Sequence, residues 1–155
     1  MKLAVGNMFD HPADLILVTT NSYVRSNGTL VMGRGAAAEL SKRYFLNAES
    51  VFGARVMKYP GLGVYKKYGV IVDEDCTYNT PIMVEFGIFQ VKYHWGKPAV
   101  PDLISYSAQK LCEIAHEYKS ISLNYPGIGN GGLDKSVVGP LIECLPGNVT
   151  VFERG

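Results

Sequence analysis

The sequence predicts an α/β sandwich, with a mostly parallel central sheet and helices on both faces. Short apolar or alternating runs of strand length recur along the chain, helical patterns separate several of them, and two glycine-rich loops stand one at the end of a strand and one at the start of a helix. Strand-like runs cover residues 2–5, 14–20, 55–59, 69–72, 86–92, 120–124 and 149–152. The first is Lys2-Leu3-Ala4-Val5; the second contains the apolar run Leu15-Ile16-Leu17-Val18. Helices are predicted over 35–45, 102–118 and 135–144. The first is rich in alanine at its start. The second places Leu103, Ile104, Ala108, Leu111, Cys112 and Ala115 at near-helical spacing behind the start signal Pro101-Asp102. No internal repeat or low-complexity linker interrupts the order, so residues 1–155 read as one domain.

Composition narrows the class of function. A hydrophobic fraction of 47% with 19% charged residues is that of a soluble globular protein. No apolar run approaches the roughly 20 residues that span a bilayer, so no membrane partner is expected. The first residues enter an alternating segment without a signal-peptide pattern, which points to the cytoplasm. A net charge of +1 denies the protein the broad basic field of an autonomous nucleic-acid binder, so any contact with nucleic acid should be local. Cys76, Cys112 and Cys144 are odd in number and far apart in sequence. They indicate neither a disulfide framework nor a metal site, and read as reduced thiols, with Cys112 as a small buried helix residue.

The most informative stretch is Tyr125-Pro126-Gly127-Ile128-Gly129-Asn130-Gly131-Gly132-Leu133-Asp134, directly after the run Ile121 to Asn124. Four glycines in six positions remove Cβ atoms where a backbone must approach a ligand and turn its N–H groups toward it, the outline of an anion site. A plain turn has the same composition. Met32-Gly33-Arg34-Gly35 opens into Ala36-Ala37-Ala38-Glu39-Leu40, where a helix start would present free N–H groups and a positive dipole end. Two such loops imply a ligand with two phosphates. In α/β sheets, ligands bind beyond the C-terminal ends of the strands, and Asn21, the 127–134 loop and Lys92-Tyr93-His94-Trp95 all follow strands there.

Taken in order, these pieces resemble the macrodomain family, the ADP-ribose-binding α/β/α module, over nearly the whole chain. Gly6-Asn7-Met8 resembles the opening motif, Val18-Thr19-Thr20-Asn21 the strand ending in an asparagine, and Met32 to Gly35 and Gly127 to Asp134 the two diphosphate loops. Asn7, the Met-Gly-x-Gly form of the first loop and Val91-Lys92-Tyr93-His94-Trp95 are similar to the branch of terminal ADP-ribose hydrolases and of antitoxins that reverse DNA ADP-ribosylation. The resemblance implies a three-layer sandwich with a mixed, mostly parallel sheet. It implies ligand contacts from Asn7, Met8, Asn21, Gly33, Arg34, Gly35, Gly127, Ile128, Gly129, Asn130, Gly131, Gly132, Leu133 and Phe152, and catalysis by Lys92 and Asp134 with no cofactor and no metal. It also implies a monomer of bacterial or phage type that removes ADP-ribose from a DNA base or an acidic side chain. A module that binds ADP-ribose or an NAD-derived signal without cleaving it has the same fold.

Several of these residues carry plainer readings. Lys92 at a strand end is also what a solvated surface lysine looks like, Asp134 is placed to cap the helix that follows, and Phe152 suits a core position. His94 and Trp95 are expected to pack and hold Lys92 rather than react. The stretch Ser22 to Leu30 is longer than the antitoxin pattern, and its Ser26-Asn27-Gly28 reads as the turn of a lid or hairpin beside the distal ribose.

Overall fold

The computed structural model describes residues 1–74 and 84–154. Six strands form one sheet in the order β1-β6-β5-β2-β4-β3, with β1 Lys2–Val5, β2 Leu15–Thr20, β3 Val70–Asp73, β4 Glu85–Gln90, β5 Ile121–Asn124 and β6 Val149–Glu153. Every pairing is parallel except β3 with β4, so the sheet is mixed with one antiparallel edge. Among the described residues there are four α-helices, α1 Gly35–Glu39, α2 Ala48–Met57, α3 Pro101–Ile114 and α4 Lys135–Ile142.

Both faces of the sheet are covered. Ile16 and Val18 of β2 point into a core shared with Ala37 of α1 and Phe52 and Val56 of α2, while Leu15 and Leu17 point into a second core with Ile104 and Leu111 of α3 and Val138 of α4. This two-sided burial is why β2 is a continuous apolar run rather than an alternating one. Close packing extends to the backbone: a Cβ at Gly87 in β4 would lie 2.6 Å from Ile71 O and 2.7 Å from Leu17 Cδ2.

One predicted element changes type. Residues 55–59, expected as a strand, belong to the end of α2 and the turn after it. Arg55-Val56-Met57-Lys58-Tyr59 alternates over five residues, but the longer helical phase of Ala48, Phe52 and Val56, all fully buried, decides the conformation. The predicted helix over 35–45 is α1 followed by a π turn, Leu40–Tyr44, closed by Phe45 N–H donating to Leu40 O at 2.8 Å. The helix expected over 102–118 ends in a 3₁₀ turn at Ala115–Glu117, and the one over 135–144 stops at Ile142. Cys76, read as a reduced thiol, lies outside the described residues.

Candidate functional site

A cavity of about 810 Å³ opens beyond the C-terminal ends of β2, β4, β5 and β6, the position the topology of a parallel sheet assigns to a ligand. Its floor is made by the two glycine loops. In the second, Gly131 N–H donates to Ile128 O at 3.2 Å, Gly132 N–H to Gly129 O at 3.0 Å and Leu133 N–H to Gly127 O at 3.0 Å. Those bonds use the N–H groups of Gly131, Gly132 and Leu133, and not those of Ile128, Gly129 and Asn130, which belong to the stretch lining the cavity. Gly127 has φ +75°, and a Cβ there would meet Ile104 Cδ1 at 2.6 Å, so only glycine fits. The first loop leads into α1 with Arg34 at the N-cap and no side-chain cap, leaving the helix start to the cavity. The loops face each other closely, since a Cβ at Gly35 would sit 3.9 Å from Asn130 Nδ2.

Positive charge gathers on this floor and at the mouth. Among the described residues Arg25, Arg34, Lys92 and Arg154 all line the cavity, against the single carboxylate of Glu153. Arg25 pairs with Glu49 at 3.5 Å, Arg154 with Glu39, and Glu153 with Lys135. Lys92 is half-buried and its Nζ donates to Trp95 O at 3.1 Å. Burial, and then the neighbouring Arg34 guanidinium, hold its amine below the ordinary lysine value. The His94 ring stacks on Trp95 at 5.2 Å and meets Tyr23 edge-on at 5.0 Å, which fixes the segment that carries Lys92.

Asn21 is buried with both ends of its amide occupied: Nδ2 donates to Val31 O at 3.0 Å and Oδ1 accepts from Tyr23 N–H at 2.8 Å. Its backbone carbonyl accepts from Tyr68 at 2.9 Å, a phenol whose burial raises its pKa and keeps it neutral. Asn21 therefore sets the course of the chain into the 22–30 segment. That segment is a hairpin with a Val24–Leu30 bridge, and Tyr23 and Arg25 on it reach the cavity. It is pinned to α2: Leu30 N–H donates to Glu49 O at 2.9 Å, and a Cβ at Gly53 would lie 2.1 Å from Gly28 O. The hairpin is a fixed wall of the cavity.

Of the residues expected from the sequence, Asn21, Gly33, Arg34, Gly35, Lys92, Gly127, Ile128, Gly129, Asn130, Gly131 and Phe152 line the cavity together. Asn7, Met8, Gly132, Leu133 and Asp134 are not among the lining residues. Asn7 caps a short 3₁₀ turn through Phe9 N–H at 3.0 Å and donates to Glu39 Oε1 at 3.1 Å, and Met8 is in the core. Leu133 packs against the core on the α3 side. Asp134 occupies the N-cap position of α4, exposed and without a side-chain capping bond. Arg25, Asn124, Tyr125 and Arg154 line the cavity without having been singled out. Asn124 was findable as the last residue of a strand. Arg154 was not, because only its pairing with Glu39 and the pairing of β6 with β5 bring it there.

Among solved structures the chain is similar to the macrodomain of Thermus aquaticus DarG, at 25% identity and TM-score 0.70, over 98% of this chain and 97% of that one. It is similar to Thermosipho africanus DarTG in complex with ADP-ribose at 22% identity and TM-score 0.75, over 99% of this chain and 42% of that one. The macrodomain of Mycobacterium tuberculosis DarG follows at 21% identity and TM-score 0.73, over 99% and 98%. No protein-family model and no curated protein matches the chain. The chain is built on the macrodomain fold, with its cavity at the strand ends where two glycine loops meet.

Proposed function

We propose that the protein binds ADP-ribose in this cavity and hydrolyses its bond to a modified macromolecule, a DNA base or an acidic side chain. The observation that carries the reading is the Lys92 amine, which lines the same cavity as the two glycine loops and holds its proton less tightly than an ordinary lysine. The diphosphate would lie between Gly33 to Gly35 and Ile128 to Gly131, neutralised by Arg34. Phe152, on the last strand, gives the adenine an aromatic neighbour. The distal ribose then falls toward Asn21 and Lys92. The Thermosipho protein, 42% of whose chain this fold matches, is in complex with ADP-ribose, which supports the choice of ligand.

Cleavage breaks the bond between the anomeric carbon of that ribose and the acceptor atom, through a state with positive character on the ring. A lowered proton affinity enlarges the fraction of Lys92 present as free amine, the form that attacks the anomeric carbon as a nucleophile. The acceptor leaves with the bonding electrons, and water releases ADP-ribose from the enzyme. No metal is needed for these steps.

The second reading is a binder that holds ADP-ribose, or a nucleotide signal derived from NAD, without turnover. It is favoured by Asp134, which stands outside the cavity lining and leaves Lys92 without an acidic partner from the second loop. Calorimetric titration with ADP-ribose, run beside release assays on ADP-ribosylated DNA and on ADP-ribosylated protein, separates the two. Binding with release from one substrate establishes the hydrolase and its acceptor. Binding without release from either selects the binder, and absence of binding refutes both.

A further inference from the structure

The two described cysteines stand 32 residues apart in sequence yet meet in space, away from the cavity. Cys112 is near the end of α3 and Cys144 in the turn after α4. The Cys112 thiol donates to Cys144 O at 3.2 Å, and the two sulfurs are 3.5 Å apart. Cys112 is half-buried rather than buried, and Cys144 is exposed. Their approach is held from both sides. Leu145, next to Cys144, is buried and its carbonyl accepts from the Met1 amine at 2.9 Å. Asn148 donates to Ala115 O at 2.8 Å and to Tyr118 O at 2.9 Å, tying the turn before β6 to the 3₁₀ turn that follows α3.

We propose that Cys112 and Cys144 form a site of reversible oxidation, closing to a disulfide that staples the end of α3 to the end of α4 when the protein meets a peroxide. The exposed sulfur of Cys144 attacks hydrogen peroxide, giving a sulfenic acid and one molecule of water. The Cys112 sulfur then attacks the Cys144 sulfur; the S–S bond forms, the S–O bond breaks, and the oxygen leaves as a second water carrying the Cys112 proton. Burial, followed by the hydrogen bond to Cys144, pushes the Cys112 thiol up to about 11, which disfavours it as the first thiol to react, while the 3.5 Å contact places it at the Cys144 sulfur for the second step. A dithiol reductant reverses the sequence. The ring closed by the bond contains β5, the second glycine loop and α4. Its main effect is to limit the freedom of the unfolded chain, and the expected rise in Tm is roughly 5–10 °C.

The test is peptide mapping of the full chain after mild hydrogen peroxide treatment, with thiols blocked before digestion. The expected product is a peptide pair joining Cys112 to Cys144 within one molecule, removed by dithiothreitol and accompanied by the higher Tm. Cys112→Ser should abolish the pair and leave Cys144 oxidised further or capped by added glutathione. A disulfide to Cys76, a disulfide between molecules, or Cys144 oxidised to the sulfinic acid while Cys112 remains free would overturn the proposal. So would a Cys112–Cys144 crosslink that leaves the Tm unchanged.

Discussion

Replacing Lys92 with alanine separates chemistry from binding and from folding, because the structure sets a different expectation for each. The side chain is half-buried and makes one protein hydrogen bond, to Trp95 O at 3.1 Å, so its loss should cost less than about 1 kcal/mol of stability and less than about 4 °C in Tm. Arg34 remains beside the diphosphate loops, and the loop backbone is untouched. The loss of a single charged contact with the ligand then weakens ADP-ribose binding by no more than about tenfold. Turnover should fall by about 10² to 10⁴, the usual yield of a positioned catalytic group, which is about 2.7 to 5.5 kcal/mol of barrier. Single-turnover release of ADP-ribose from the modified substrate, with calorimetry on the same preparations, reads the two effects independently. Lys92→Arg is the informative companion: it keeps the charge but cannot supply a free amine, so it should be as inactive as the alanine variant. Equal losses of binding and turnover in Lys92→Ala would make the lysine a ligand clamp, and full activity of Lys92→Arg would refute the nucleophile.

If the free amine reacts, kcat/KM should rise with pH through the lowered pKa of Lys92 and then level off. Arg34→Gln removes a positive neighbour, raises that pKa and should move the rising limb to higher pH; an unmoved limb would assign it to another group. Gly131→Val should abolish ADP-ribose binding, by more than about 100-fold, because the added atoms press on Ala99 behind the loop and displace the backbone that would meet the ligand. A Cβ there lies 3.1 Å from Ala99 Cβ, so the Tm should also drop by a few degrees, and unchanged affinity by calorimetry would remove the diphosphate assignment. Asp134→Asn should leave the Tm within about 1 °C, since its side chain makes no capping bond, and the release rate within about tenfold. A larger loss of rate would bring this carboxylate to the ribose in the bound state.

Most of the sheet was legible because its strands announce themselves by short apolar runs, and the loops by their density of glycine after a strand or before a helix. What escaped was governed by partners far along the chain. Residues 55–59 look like a strand until Phe52 and Val56 are seen in one helical phase against the core. Asn7 had a motif to recommend it, but its amide is held between Phe9 N–H and Glu39, and nothing in the local pattern announces that carboxylate. Arg25 sits in a stretch read as a lid or hairpin without any one side chain marked out, and its place at the cavity follows from the seat of that hairpin on α2. The meeting of Cys112 with Cys144 is of the same kind: spacing argued against a pair, and the packing of two helix ends creates one.

Glu49 couples two parts of the site. From α2 it accepts the Met32 N–H at 3.1 Å through its carboxylate and the Leu30 N–H at 2.9 Å through its carbonyl, and it faces Arg25 at 3.5 Å. The hairpin wall and the first glycine loop are thus moored to one residue on the helix behind them, while the second glycine loop rests on the core of β5, α3 and α4. A change at Glu49 would loosen the wall and one half of the floor together and leave the other half seated.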